Sequence, residues 1–139
     1  MTVIDTNAYI SSFDTETDPR RQRILNEAIR AFAELGYRGT DVQIIADRVG
    51  IGKGTIYRNY TTKEVLFWAT VAEVGGRLRL YVHQALQEPP ATLDEFLRTV
   101  AISYAEFYQN NPDCLEINVA ARSQFRGSIP ASHQRLYQE

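Results

Sequence analysis

Apolar positions recur every three to four residues along most of the chain, a period that predicts helices. No alternating run of useful length predicts a strand. The first stripe comprises Ile24, Leu25, Ala28, Ile29, Ala31, Phe32 and Leu35. It opens at Asp18-Pro19, a capping carboxylate followed by a proline suited to the first turn, and ends at Gly36. A shorter stripe follows at Val42, Ile45, Ala46 and Val49, with Gly50 placed where a chain leaving a helix takes a left-handed residue. Ile51 and Ile56 carry apolar cover into a third helix, closed by Tyr60. Thr61 and Glu64 have the spacing of a capping box and open a long helix to about Leu86. Gly75-Gly76 interrupts it at about 1 kcal/mol per glycine, which predicts a bend or a close packing contact.

Pro89-Pro90 breaks the chain, and Thr92 with Glu95 starts a helix through about Gln109. Asn110-Asn111-Pro112 ends it. Asp113 with Glu116 offers a further start, for a helix to Arg126 closed by Gly127, and another begins near Pro130. Residues Met1 to Thr17 are polar and unpatterned, as in a flexible arm. The fold class is therefore all-α.

Within this series, Thr40 to Lys63 carries the chemistry. A small alanine, a glycine four residues on and an isoleucine six further let two short helices cross closely, the requirement of a helix-turn-helix. Lys53, Gly54, Thr55, Tyr57 and Arg58 fall outside the apolar seam. They are cationic, hydroxylated or small, so the second helix can approach a phosphate-lined groove.

Charge sharpens this picture. The net charge of −2 hides a balance of +4 from Arg20 to Glu64 and −6 over the rest. A local basic block in a mildly acidic chain fits a confined DNA footprint, although a charge run also fits a solvated helix face. The sole cysteine, Cys114, excludes an internal disulfide, and one thiol with two histidines makes no cysteine-rich zinc site. No nucleophile, base or metal constellation suggests an enzyme, and no cofactor is expected. No secretory signal precedes the first helix, and no apolar run reaches the roughly 20 residues that span a membrane, so a cytoplasmic protein is expected.

GIGKGTIYRNYTTKE, with FAELGYRGT before it and residues to about Trp68 after it, resembles the DNA-binding signature of the tetracycline-repressor-like (TetR) transcriptional regulators. The resemblance covers about a third of the chain. It implies a three-helix DNA-binding domain followed by a helical ligand-binding and dimerisation domain, here divided as an arm over 1–17, a head over 18–66 and a partial regulatory domain over 67–139. It implies double-stranded DNA with a palindromic operator, a small-molecule effector and a homodimer. Release of a repressor by the effector is the expected function. An effector-independent or architectural DNA-binding protein is the alternative. Family members continue through further helices beyond the point corresponding to Glu139, so the resemblance also implies a C-terminally truncated member or a short relative lacking the usual dimer bundle.

The DNA-contacting candidates are Thr40, Gln43, Gly52, Lys53, Gly54, Thr55, Tyr57, Arg58 and Lys63. Arg58 and Lys53 can donate to guanine edges and the Thr55 methyl can meet thymine, yet Lys53 suits a phosphate equally well. Tyr57 and Lys63 resemble backbone anchors. Thr40 fits either a phosphate contact or a helix cap. Gly52 stands where the family often has serine or threonine, losing a hydroxyl but keeping an acceptable cap. In the second half, Phe67, Val71, Tyr104, Tyr108 and Arg122 are the candidate walls of an effector pocket, though aromatics at helical spacing also build plain core.

Overall fold

Asp18 accepts a hydrogen bond from the Arg20 amide at 3.0 Å and Pro19 occupies the first turn, so the first helix begins where its cap and proline place it. The computed structural model describes residues 18–125. The expected arm over 1–17, the stop at Gly127 and the helix near Pro130 lie outside the described residues. Those residues form six helices: α1 Pro19–Gly39, α2 Val42–Val49, α3 Lys53–Asn59, α4 Lys63–Ala85, α5 Leu93–Asn110 and α6 Pro112–Gln124. The all-α expectation holds among them.

The apolar stripe of α1 is buried at Ile24, Leu25, Ala28, Ile29, Ala31 and Phe32. Gly36 does not simply end this helix. It takes φ 74°, ψ 169°, a region open essentially only to glycine, and kinks the chain before a last turn reaches Gly39. On α2, Val42, Ile45, Ala46 and Val49 are all buried. Gly50 adopts the left-handed conformation (φ 78°, ψ 37°), and its amide and that of Ile51 both donate to the Ala46 carbonyl.

Three starts and interruptions differ from the sequence expectation. Thr62, not Thr61, caps α4, accepting from the Val65 amide at 3.1 Å. The two threonines are adjacent, and it is Thr62 whose extended backbone aims its oxygen at the first turn. Glu64 lies in that turn, where a carboxylate complements the helix dipole. Gly75-Gly76 produces neither bend nor tight contact: α4 runs unbroken past it, and a Cβ at Gly75 would meet only the Arg79 side chain at 3.5 Å. Twenty-one other residues of the same helix absorb the weak propensity of two. Asn111 caps α6, with Pro112 in the first turn and Asp113 inside the helix. By contrast, Thr92 caps α5 as expected, accepting from the Glu95 amide at 3.2 Å, while the Glu95 carboxylate accepts from Ala91 N–H at 2.9 Å.

Packing draws these helices around one core. Phe67 of α4 has its ring centroid 5.1 Å from both Phe32 and Tyr37, and 5.5 Å from Phe125 at the end of α6. A polar cluster crosses between α1 and α4: Gln22 donates to Glu73 at 3.0 Å, Arg77 Nε donates to the same carboxylate at 3.0 Å, and Arg77 also donates to Asn26. The head is thereby joined to the long helix by both aromatic and polar contacts.

Candidate nucleic-acid interface

Helix α3 is short, so its placement rests on tertiary contacts more than on propensity. Ile56 is fully buried against the α1–α2 core and Tyr60 nearly so, while Ile51 packs at the edge. Gly52 caps the helix without a side chain, its carbonyl accepting from Thr55 N–H at 2.9 Å. With Ile56 and Tyr60 inside, the opposite face must turn outward. Gly54, Tyr57 and Arg58 are exposed, and Lys53 and Thr55 are partly so. Tyr57 is 36% exposed although large and aromatic, and Arg58 makes no ion pair among the described residues.

Beside this face stands the start of α2. Asp41 caps it, accepting from the Gln43 amide at 2.8 Å. The same carboxylate oxygen accepts from Lys53 Nζ at 2.9 Å, and that ammonium lies 5.9 Å from the Tyr57 ring centre. The Gln43 amide, and then the Lys53 ammonium, hold the Asp41 carboxyl below the usual carboxylate range, while the hydrogen bond to Asp41 raises Lys53. Gln43 is exposed, its side-chain amide donating to Asp47 at 2.7 Å. Gln43, Lys53, Gly54, Thr55, Tyr57 and Arg58 thus share one outer surface.

Two candidates lie elsewhere. Thr40 is 1% exposed, its hydroxyl 2.7 Å from the Gly36 carbonyl and 3.1 Å from that of Ala31. Neither the phosphate contact nor the helix cap describes this side chain. It ties the chain after the kink at Gly36 back to α1, and the cap role falls to Asp41. Lys63 turns back under α1, donating to the carbonyls of Tyr37 at 2.8 Å and Thr40 at 3.1 Å, over the Tyr37 ring at 4.5 Å. Two of its three donors serve the end of α1, leaving one without a hydrogen-bond acceptor among the described residues.

Several cations of the basic block also hold the head together. Arg23 donates to the Val49 carbonyl at 2.7 Å, closing the end of α2 across 26 residues of sequence, and Arg48 pairs with Glu34 at 3.1 Å. Part of the charge run therefore serves contacts within the head, which neither the solvated-face nor the footprint reading describes. Sequence reasoning missed Asp41 and Arg23, whose partners depend on how the helices cross.

The effector-wall candidates do not gather around one space. Phe67 is fully buried among Phe32, Tyr37, Trp68 and Phe125. Val71 is half-buried against the same core, whereas Tyr104 is 46% exposed and Arg122 is exposed. Tyr108 is partly buried, with its hydroxyl accepting from Asn118 at 2.6 Å. A small cleft of about 200 Å³ lies instead at the start of α1, lined by Asp18, Arg20, Arg21, Ile24, Asn59 and Tyr60. Among the described residues no group of three or more His, Cys, Asp or Glu is placed to hold a metal ion, and no helix is long and apolar enough to cross a membrane.

Residues 24–70, which contain all of this surface, match the family described as bacterial regulatory proteins, tetR family. The chain is 42% identical over 65 residues to the HTH-type transcriptional repressor AcnR of Corynebacterium diphtheriae, a match covering 47% of this chain and 34% of that protein. Among solved structures it is similar to a TetR-like transcriptional regulator from a Rhodococcus species, with a TM-score of 0.68 and 27% identity over 84% of this chain and 64% of that one. It is similar also to the TetR family regulator PfmR from Thermus thermophilus, with a TM-score of 0.67 and 25% identity over 84% of this chain and 60% of that one. In each case the matched region is less than two thirds of the relative. The matched residues, the helical order and the outward face of α3 agree: residues 24–70 form a domain of the tetR family of bacterial regulatory proteins.

Proposed function

We propose that this chain binds double-stranded DNA with α3 in the major groove and acts as a transcriptional repressor. The observation that carries it is the contrast on α3 itself: Ile56 and Tyr60 lock one face into the core, while Tyr57 and Arg58 stand exposed beside Lys53 on the other. Arg58 is free to donate two hydrogen bonds to a guanine edge, and Tyr57 and the third donor of Lys63 suit phosphates. The repressor role is supported by the similarity to the transcriptional repressor of Corynebacterium diphtheriae.

One such helix places only three or four side chains on base edges, so the reading includes a two-fold dimer on an inverted repeat. It also includes release by a small-molecule effector, as the resemblance to the tetracycline-repressor-like regulators implies. A thermal-shift ligand screen tests that part.

For the DNA contact, Arg58→Ala is expected to cost about 1–3 kcal/mol on a selected site and less on other sequences. Binding measured on both kinds of duplex checks this. Equal binding by the wild type and a Lys53→Ala, Tyr57→Ala, Arg58→Ala triple variant would remove α3 from the interface.

A further inference from the structure

An acidic side chain stands at the centre of the proposed DNA surface. Asp41 Oδ1 accepts from the backbone amide of Gln43 at 2.8 Å and from the ammonium of Lys53 at 2.9 Å. It therefore joins the first turn of α2 to the first turn of α3, across twelve residues of sequence. Capping alone would not need the charge, since asparagine and serine cap about as well as aspartate. A carboxylate beside a phosphate-binding face also works against binding, because it offsets one of the few cations there. Lys53 has no other acceptor among the described residues, and its side chain is 37% exposed. Without Asp41 its flexible stem would let it reach any nearby phosphate.

We infer that Asp41 is a positioning and specificity-determining residue: it holds Lys53 in a fixed place at the start of α3 and withholds it from indiscriminate phosphate contact. This rests on the proposed DNA-binding role. A duplex gains Lys53 only by offering an acceptor that outcompetes an aspartate already in place. Random DNA then engages the surface with about one cation fewer, and a duplex with an acceptor at the right position engages it in full.

The test is binding of mixed-sequence duplex DNA by the intact chain across a salt series. Asp41→Asn keeps the cap and removes the charge, and Asp41→Ser does the same with a different side chain. Each variant is expected to bind mixed-sequence duplex more tightly at low salt, with a log-affinity against log-salt slope steeper by about 0.9. The gain then shrinks about threefold between roughly 50 and 200 mM salt. In a Lys53→Ala background the same substitutions are expected to change neither affinity nor slope. Wild-type affinity and slope in both variants would overturn the inference, leaving Asp41 a plain cap. A gain that persists without Lys53 would overturn it too, since the carboxylate would then act only as a general repulsive charge. A wild-type chain that binds no duplex at all overturns the DNA-binding role, and this inference with it.

Discussion

The head, α1 to the first turns of α4, and the pair α5–α6 both carry apolar stripes but use them differently. In the head, Ile24, Phe32, Ile45, Ile56 and Phe67 are all at or below 1% exposure. In α5–α6 only Ser103, Phe107, Cys114 and Ile117 are buried, while Leu93, Leu97, Ile102, Tyr104, Leu115 and Val119 are 44–72% exposed. The apolar stripe of α5 is wider than the surface α4 offers it. Phe107 and Ser103 use one edge of that stripe, and Leu97 and Tyr104 lie along the other. The core of the head is closed by its own helices together with Phe125 at the end of α6, whereas α5 lies against α4 and leaves an outer face. The head is thus covered on most of its apolar positions, while the outer stripes of α5 and α6 are not.

The sharpest way to break this contrast is to truncate one aromatic in each region. Phe67→Ala is expected to cost about 3–5 kcal/mol in denaturant unfolding, since four rings would face the void. Tyr104→Ala, read in the same assay, is expected to stay within about 0.5 kcal/mol. Equal losses would show that the second half is as tightly closed as the head.

Next in size is the cap of α2, which sharpens the account of the head. Asp41→Ala is expected to destabilise by about 0.5–2 kcal/mol through loss of that cap, with Asp41→Asn close to wild type in thermal unfolding. Leu97→Ser on the outer stripe is expected to change stability by less than about 0.5 kcal/mol while raising solubility, measured by unfolding and by light scattering.

The smallest expected effect is a null with a defined window. The Asp41 carboxyl is lowered from its usual 3.8, so its contribution is present above that value and is lost only as pH falls through the lower folded value. Lys53 is raised from 10.5, so its contribution is present below that value and is lost as pH rises through the higher folded one. The difference in DNA affinity between wild type and Asp41→Asn is therefore expected to be flat from about pH 5 to 9, measured at constant ionic strength.

What could be read from the chain tracks how local each determinant is. Ala46, Gly50 and Ile56 lie within eleven residues, and their spacing alone implied the turn, the left-handed glycine and the buried seam. Thr61 and Thr62 differ by one position, and the cap could be placed only once the backbone was known. Thr40 is turned inward onto the carbonyls of Ala31 and Gly36 across a kink that reads in sequence merely as a stop. The Asp41–Lys53 and Arg23–Val49 contacts span 12 and 26 residues and depend on crossing angles that no periodicity encodes. Tyr104 and Tyr108 stand four residues apart and read alike in sequence, yet the first is exposed and the second partly buried, because only packing decides which edge of a stripe is covered.

The polar cluster that ties Glu73 and Arg77 of α4 to Gln22 and Asn26 of α1 sits near the middle of an unbroken helix. At about 1.5 Å per residue, about 15 Å of rod lies between Lys63 and Glu73, and about 18 Å between Glu73 and Ala85. Lys63 on the carbonyls of Tyr37 and Thr40, and Phe67 against Phe32 and Tyr37, hold the same rod to α1 nearer its start, so it is pinned at three heights. A push on the end near α5 would therefore be carried by α1 and the first half of α4 together, as one rigid piece.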